Sequence, residues 1–441
     1  MGEVLVIGAA RSGVAAARLL KEHGYQVTMT DSRCLEEKEA LQKEGITVVD
    51  GGHPQWLFDK SWDFVVKNPG IPYRVAIVKH FVEQNIPVYT EIEIAYRFAK
   101  GFRYGAVTGT NGKTTITSLL YEMVKRKGKG EVAGNIGYPL CELASRYGDQ
   151  EKDVALELSN FQLLGIETFR PTVSVVCNLA PDHLDYMDSV EAYYESKMRI
   201  YENCRADDWF LRNVDDPLIM KYASNSPCKV IDFSLTRTDV DLYRKDGKVW
   251  LHDTMLFSID TLKIVGDYNV SNAMIAACMA YRLGVSLEDI QSVCAQFTSV
   301  EHRLEFIGER DGIRFYNDSK ATNTHAVAAA LSSFSSNIIL LAGGHDKMTS
   351  LEPMMKLVQA KADVLILLGE AKERFYEAAA AAGVGDIRKV ETMDEAVELA
   401  YKLAAAPQVV LLSPACSSYD MFENFPARGR YFKNLVAALP K

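Results

Sequence analysis

A chain of 441 residues is long enough for about three domains of roughly 150 residues each. Its 48% hydrophobic and 24% charged residues are those of an ordinary folded protein, which excludes a disordered or low-complexity chain. The formal net charge of −9 argues against a general nucleic-acid binder but is compatible with a local basic pocket for phosphates.

The eight cysteines are scattered and form no CxxC pair, so a zinc site is not expected. Several stand in apolar runs, where a reduced thiol behaves as a small hydrophobe, and this fits a reducing, cytoplasmic setting. The apolar stretch from Val4 to Ala10 is preceded by Glu3 and ended by Arg11 and Gly13, too early for a secretory signal. No run of 18 apolar residues occurs, so no membrane span is expected.

In chain order, a strand at Glu3–Ile7 enters a glycine-bearing turn and a helix from about Ser12 to His23. A second strand, Gln26–Thr30, ends at Asp31. This is a βαβ opening with a parallel sheet. Further strands are expected at Ile46–Val49, Phe64–Val66 and Ile86–Tyr89, and the first domain ends near residue 92. The second domain, 93–297, opens with a strand at Tyr104–Thr108 and a helix to about Arg126. It continues with strands at Asp153–Leu158 and Val173–Leu179. After about residue 207 come shorter strands, Cys228–Phe233, Lys248–Leu251 and Leu262–Val265, and a closing helix at Asn269–Leu283. The third domain, 298–441, has strands at Ile313–Asn317, Asn337–Ala342, Val364–Leu368 and Val409–Leu412, with a helix at Glu370–Ala382 among the connections. The expected fold class is therefore α/β in three domains: a Rossmann-like first, a central P-loop ATPase-type mononucleotide-binding domain, and a Rossmann-like third. No sequence repeat is present.

The strongest chemical signal is Thr108-Gly109-Thr110-Asn111-Gly112-Lys113-Thr114-Thr115, between a strand and a helix. Backbone N–H groups and a helix N-terminus there would face an anion. Lys113 would meet the β- and γ-phosphates and Thr114 a Mg²⁺ ion. The general spacing GxxxxGK[ST] would need glycine at 107, where Val107 stands, so only the shorter form is present. At the first strand–helix turn, Gly8-Ala9-Ala10-Arg11-Ser12-Gly13 has Ala10 where a dinucleotide fingerprint needs its middle glycine, which counts against NAD. Glu157 stands at the end of one predicted strand and His183 just past another, at the sheet edge where open α/β sheets bind ligands.

Several further motifs accompany the loop: Gly134-Asn135-Ile136-Gly137, Leu156-Glu157-Leu158-Ser159, Phe161-Gln162-Leu163, Asn178 with His183, Lys197, and Glu301-His302-Arg303-Leu304-Glu305. Three more are Asn317-Asp318-Ser319-Lys320-Ala321-Thr322-Asn323, Gly343-Gly344-His345-Asp346-Lys347 and Leu412-Ser413-Pro414-Ala415-Cys416-Ser417-Ser418. Together they span nearly the whole chain and resemble the Mur ligases and their folylpolyglutamate synthetase relatives. The last three resemble the branch that adds D-glutamate, and the DNPR-type motif of the diamino-acid-adding relative is absent.

That resemblance implies ATP-dependent ligation of D-glutamate to UDP-N-acetylmuramoyl-L-alanine through an acyl phosphate, in peptidoglycan precursor synthesis. It implies ATP at Gly109, Thr110, Asn111, Gly112, Lys113, Thr114 and Thr115, with Asn269 and Asn272 meeting adenine and Arg303 and Asp318 reaching the nucleotide. Asn269 could equally be a helix cap. Two Mg²⁺ ions are implied, one on Thr114 and Glu157, the other near His183 and Lys197. Imidazole is an uncommon Mg²⁺ ligand, and Lys197 alone reads as a solvated lysine. Only the resemblance makes it a carbamylated, carboxylate-like ligand. Arg11, Ser12, Asp31, Ser32, Arg33 and Gly70 are implied for the UDP portion, and Asn135, Ser159, Gln162 and His183 for the sugar–alanine portion. Lys347 is implied for one carboxylate of D-glutamate, and Thr322, Ser418 and Lys320 for the other, with Phe425 packing nearby. Lys113, His183, Lys197, Arg303 and Lys320 form the expected catalytic set. A monomer is expected. The alternatives are another Mur-like or folylpolyglutamate-synthetase-like ligase, an NAD-dependent oxidoreductase, and a nucleotide-dependent binding protein without catalysis.

Overall fold

The computed structural model describes residues 2–181, 187, 189–223 and 226–440. It contains three α/β sheets built mainly from parallel strands. The first sheet holds β1 (Glu3–Ile7), β2 (Gln26–Thr30), β3 (Thr47–Val49), β4 (Phe64–Lys67) and β5 (Val88–Tyr89), in the order β3-β2-β1-β4-β5. Val4 and Val6 enter one core, with the helix Arg11–Glu22, while Leu5 and Ile7 enter another, with the helix Ala76–Glu83. Burial on both faces is why Val4-Leu5-Val6-Ile7 of β1 reads as a continuous apolar run.

The second sheet holds β6 (Phe102–Thr108), β7 (Gly130–Gly134), β8 (Lys152–Glu157), β9 (Val173–Val176), β10 (Trp209–Asn213), β11 (Lys229–Ser234), β12 (Leu242–Lys245), β13 (Lys248–Leu251) and β14 (Thr254–Ser258). Its order is β14-β13-β12-β11-β10-β9-β6-β8-β7, so β6 is an interior strand, flanked in parallel by β8 and β9. The expected strand at Leu262–Val265 is absent: a 3-10 turn covers Ile259–Thr261, and the chain stays irregular until the helix Asp267–Arg282.

The third sheet holds β15 (Glu305–Arg310), β16 (Ile313–Asn317), β17 (Ile338–Gly343), β18 (Ala362–Leu368), β19 (Ile387–Lys389) and β20 (Val409–Leu412), in the order β15-β16-β20-β17-β18-β19. Ile338, Leu340 and Ala342 face one core, and Ile339 and Leu341 face the other. Helices cover both faces, as a doubly wound sheet requires.

By contact the chain divides into two compact units. One comprises Met1–Ser258 and Ala273–Val293 and carries the first two sheets. The other comprises Ile259–Asn272 and Cys294–Lys441 and carries the third. Seven of the eight cysteines are buried and all are free thiols, with Cys34 exposed. No helix among the described residues is long and apolar enough to cross a membrane.

Candidate functional site

At the C-terminal end of β6 the chain turns through Gly109 and Gly112, both at positive φ, before the helix Lys113–Lys125. Asn178 braces this turn: its backbone C=O accepts the Thr110 N–H, and its Oδ1 accepts the Asn111 N–H at 2.9 Å. The Thr110 hydroxyl exchanges hydrogen bonds with the backbone of Ala180. The side chain of Lys113 folds back and donates to Gly109 O and Thr110 O, each at 2.9 Å. Lys197, on the helix Val190–Met198, is 1% exposed and donates to the same Gly109 O at 2.9 Å. Two ammonium groups thus converge on one carbonyl beside a helix N-terminus, which is a strong field for an anion.

Gly109 cannot be replaced freely. At φ +139 a side chain is strained, and a Cβ there would lie 2.3 Å from Cys177 Sγ. Gly109→Ala is expected to lower stability by about 1–3 kcal/mol from backbone strain alone, read as a lower urea midpoint, and to weaken nucleotide binding.

Glu157 ends β8, one strand over from the loop. It is 1% exposed. Its Oε1 accepts the Asn135 Nδ2 at 2.8 Å, and its Oε2 has no hydrogen-bond partner among the described residues. A buried, half-satisfied carboxylate is costly unless something cationic completes it. A hard divalent cation prefers an oxygen donor of this kind, so the residue fits Mg²⁺. Thr114, 4% exposed, lies in the first turn of the loop helix. His183 lies outside the described residues.

Ser159 and Gln162 are engaged with each other. They form a capping box on the helix Asn160–Leu163, with the Ser159 N–H donating to Gln162 Oε1 at 2.9 Å. The geometry therefore gives this pair a structural task that sequence reading had not assigned.

On the first sheet, the ends of β1, β2 and β4 gather Arg11, Ser12, Asp31, Ser32, Arg33 and Gly70. Asp31 accepts the Ala9 N–H and the Arg33 N–H, both at 2.9 Å. Burial raises its carboxyl, but these bonds and the Arg33 guanidinium outweigh that and hold it below the ordinary value. Ser12 Oγ accepts from Asn68 Nδ2 at 3.1 Å, and Asn68 Oδ1 accepts the Gly70 N–H, so Asn68 ties the two turns together. Arg11 donates to Gly137 O and pairs with Glu142, while Ser32 and Arg33 are exposed. Sequence reasoning missed Lys67 beside this edge. It is 1% exposed, donates to Asn68 O and Pro69 O and faces the Tyr73 ring; burial lowers its ammonium to about 7.

On the third sheet, Asp318, Ser319, Lys320 and Thr322 follow β16, Lys347 follows β17, and Ser418 follows β20. All three loops leave the C-terminal ends of adjacent parallel strands. Lys347 is exposed, Ser418 is buried, and the Lys320 ammonium lies 5.3 Å from the Phe425 ring centre. Arg303 stands between two non-glycine residues at positive φ, His302 at +66° and Leu304 at +40°. Such strain costs on the order of 1–3 kcal/mol per residue and clusters at functional loops. His302 is held there by its N–H to Glu305 Oε2 and by Asn317 Nδ2 at 2.9 Å from Nδ1. Donor atoms of Glu301, His302 and Glu305 lie within 4.8 Å of one another, but Lys433 Nζ already bridges both carboxylates, at 3.0 and 2.5 Å.

Asp318 accepts from Ser413 Oγ at 2.8 Å and from the Leu304 N–H, and burial pushes its carboxyl up to about 7. A raised folded value means that the native state holds the proton more tightly than the unfolded chain does. Stability should therefore fall as pH rises from about 4 to about 7 and level off above that. Thermal melts of Asp318→Asn beside the unaltered chain check this: the unaltered chain should lose ground relative to the variant across that window. Asn269 and Asn272 sit in the first two turns of the helix Asp267–Arg282. Asn269 is not its cap, since the helix begins at Asp267; its Nδ2 donates to Val265 O, and Asn272 Nδ2 donates to Asn269 Oδ1.

Family models for the Mur ligase MurD-like N-terminal domain, the Mur ligase middle domain and the Mur ligase glutamate ligase domain match residues 2–90, 107–280 and 302–416. The UDP-N-acetylmuramoylalanine--D-glutamate ligase of Geobacillus kaustophilus is 42% identical, over 99% of this chain and 97% of that protein. The enzyme of the same description from Latilactobacillus sakei is 40% identical, over 98% and 96%. A solved pseudomurein peptide ligase type C from Methanothermus fervidus shares the fold at a TM-score of 0.61 and 20% identity, covering 99% of each chain. With three family models matching in order and relatives alike along nearly their full length, this chain belongs to the Mur ligase family.

Proposed function

We propose that this chain joins D-glutamate to UDP-N-acetylmuramoyl-L-alanine at the expense of ATP, releasing ADP and phosphate, as a cytoplasmic step in peptidoglycan precursor synthesis. The observation that carries the reading is full-length similarity to enzymes of that description, 42% and 40% identical. The three edges described above supply groups of the right chemistry.

Forming an amide from a carboxylate needs activation. In the proposed sequence, the alanyl carboxylate attacks the γ-phosphorus of ATP, giving an acyl phosphate and ADP. The amine of D-glutamate then attacks the acyl carbon, inorganic phosphate leaves, and the amine gives up a proton. Lys113 and the N–H groups of the 109–115 turn are proposed to hold the β- and γ-phosphates. Arg303 is proposed to answer the charge on the transferring phosphoryl group. Thr114 and Glu157 are proposed to hold one Mg²⁺, and His183 with a carbamylated Lys197 a second; bound there, the ions would neutralise phosphoryl charge. Asp31 and the residues around it are proposed for the UDP end, Asn135 and Gln162 for the sugar–alanine end, and Lys347, Thr322 and Ser418 for the two carboxylates of D-glutamate.

The test is phosphate release with UDP-N-acetylmuramoyl-L-alanine, ATP and a panel of D- and L-amino acids. Release that requires both the nucleotide sugar and D-glutamate is the expected result. Release with L-glutamate or a diamino acid alone would transfer the chain to another ligase reaction, and a folate acceptor working in place of the nucleotide sugar would do the same.

A further inference from the structure

Arg428 stands in the first turn of the helix Phe425–Ala438 and is 3% exposed. An arginine this deep ordinarily has a carboxylate in contact. Here, among the described residues, its guanidinium donates only to neutral oxygens. Nε donates to Ser319 Oγ at 3.0 Å, Nη2 to Ser319 O at 2.8 Å and Cys416 O at 3.0 Å, and Nη1 to Ser417 O at 3.2 Å. Ser319 Oγ in turn donates to Phe425 O at 2.8 Å. The loop after β16 and the loop after β20 are thereby fastened to one planar cation. The loop after β17 lies over the same group: a Cβ on Gly344 would sit 3.1 Å from Arg428 Nη1 and 2.5 Å from Ser417 O, and the His345 N–H donates to Ser417 O.

We propose that Arg428 is a positioning residue for D-glutamate, a latch that sets the spacing of the loops after β16, β17 and β20. It acts through Ser319 and the 416–417 carbonyls and does not itself touch the substrates. The inference rests on the reading that these loops carry the amino-acid site. Its physical basis is the fork geometry of guanidinium. Three nitrogens aimed in fixed directions hold two backbone segments at one separation, whereas an ammonium, a single point donor, cannot reach Ser319 and both carbonyls with that geometry. The three loops leave adjacent strands, so a shift in their spacing would spread the groups meeting the two ends of a dicarboxylate while leaving the nucleotide-sugar end untouched.

Arg428→Lys and the milder Ser319→Ala, each checked for native far-UV circular dichroism, test it by two readouts. In steady-state kinetics the KM for D-glutamate should rise about tenfold or more in Arg428→Lys and less in Ser319→Ala, with the KM for the nucleotide sugar within about twofold of the unaltered chain. In amide hydrogen exchange, the loop amides of Ala321, Ala415 and His345 should exchange faster in Arg428→Lys, while those of Leu340 and Leu411 in the strands keep their rates. Unchanged exchange at the loops, or KM values that move together for both substrates, would overturn the latch. Should the unaltered chain make no product with D-glutamate, the functional reading fails on its own account, and the exchange comparison still decides whether Arg428 orders the loops.

Discussion

Lys113→Ala should cut turnover by about 10²–10³-fold, the usual effect of removing one fixed donor from a site where charge builds in the transition state. Lys113 Nζ is held by Gly109 O and Thr110 O, both neutral carbonyls of its own turn. Neutral carbonyls hold the ammonium at its own turn without cancelling its charge, so its field remains available to a phosphate. In phosphoryl transfer the charge passes through the γ-phosphoryl oxygens, and a cation that meets them there lowers the barrier more than it tightens the ground state. The loss should therefore fall mainly on kcat, with a smaller rise in the KM for ATP. Fold should be kept, because the turn is braced independently by Asn178 and by the Thr110–Ala180 pair. Lys113→Arg should not restore full activity, since the larger planar group cannot sit between the same two carbonyls. Turnover of Lys113→Ala within a few-fold of the unaltered chain would remove the phosphate assignment from this loop.

The parallel strands were legible because both their faces are buried. Runs such as Val4-Leu5-Val6-Ile7 and Ile338-Ile339-Leu340-Leu341 need no alternation, and both are strands of the structure. Strands with less apolar content were not. β7 is Gly130-Glu131-Val132-Ala133-Gly134, and β15, at a sheet edge, is half-exposed and charged, with Glu305, Glu309 and Arg310; neither carries a clear period. The run Leu262–Val265 misled for the converse reason: it is mostly apolar and short, yet it follows a 3-10 turn, takes no place in the sheet and has only Ile264 buried. The strand–turn–helix around Gly109 could be read from its own residues because glycines, lysine and threonine stand together in eight positions. Arg428 could not. Its acceptors include the carbonyls of Ser319, Cys416 and Ser417, and a backbone carbonyl leaves no mark in a sequence. Lys67 was hidden by its neighbours, since a lysine ending the run Phe64-Val65-Val66 reads as the exposed end of a strand, whereas it is covered by its own loop and Tyr73.

Lys197→Ala should abolish measurable turnover, a loss of more than about a hundredfold, and short carboxylic acids should restore part of it. The side chain is 1% exposed, beside the Tyr193 ring, with Nζ on Gly109 O. A buried amine in this position can meet CO₂: the neutral nitrogen attacks the carbon, one proton leaves, and an anionic carbamate replaces the cation. The Lys113 ammonium, on the shared Gly109 carbonyl, would stabilise the anionic product. An ammonium and a carbamate make opposite demands on a rescue agent. If the working form is the carbamate, formate or acetate entering the cavity left by alanine should raise turnover and simple alkylamines should not. If the working form is the ammonium anchoring Gly109, alkylamines should rescue and carboxylates should do nothing. Removing CO₂ from the assay separates the two again, since only a carbamate would lose activity and regain it on adding bicarbonate. Rescue by amines alone, or full activity of Lys197→Ala, would end the case for the modification and leave Lys197 as a brace for the phosphate turn.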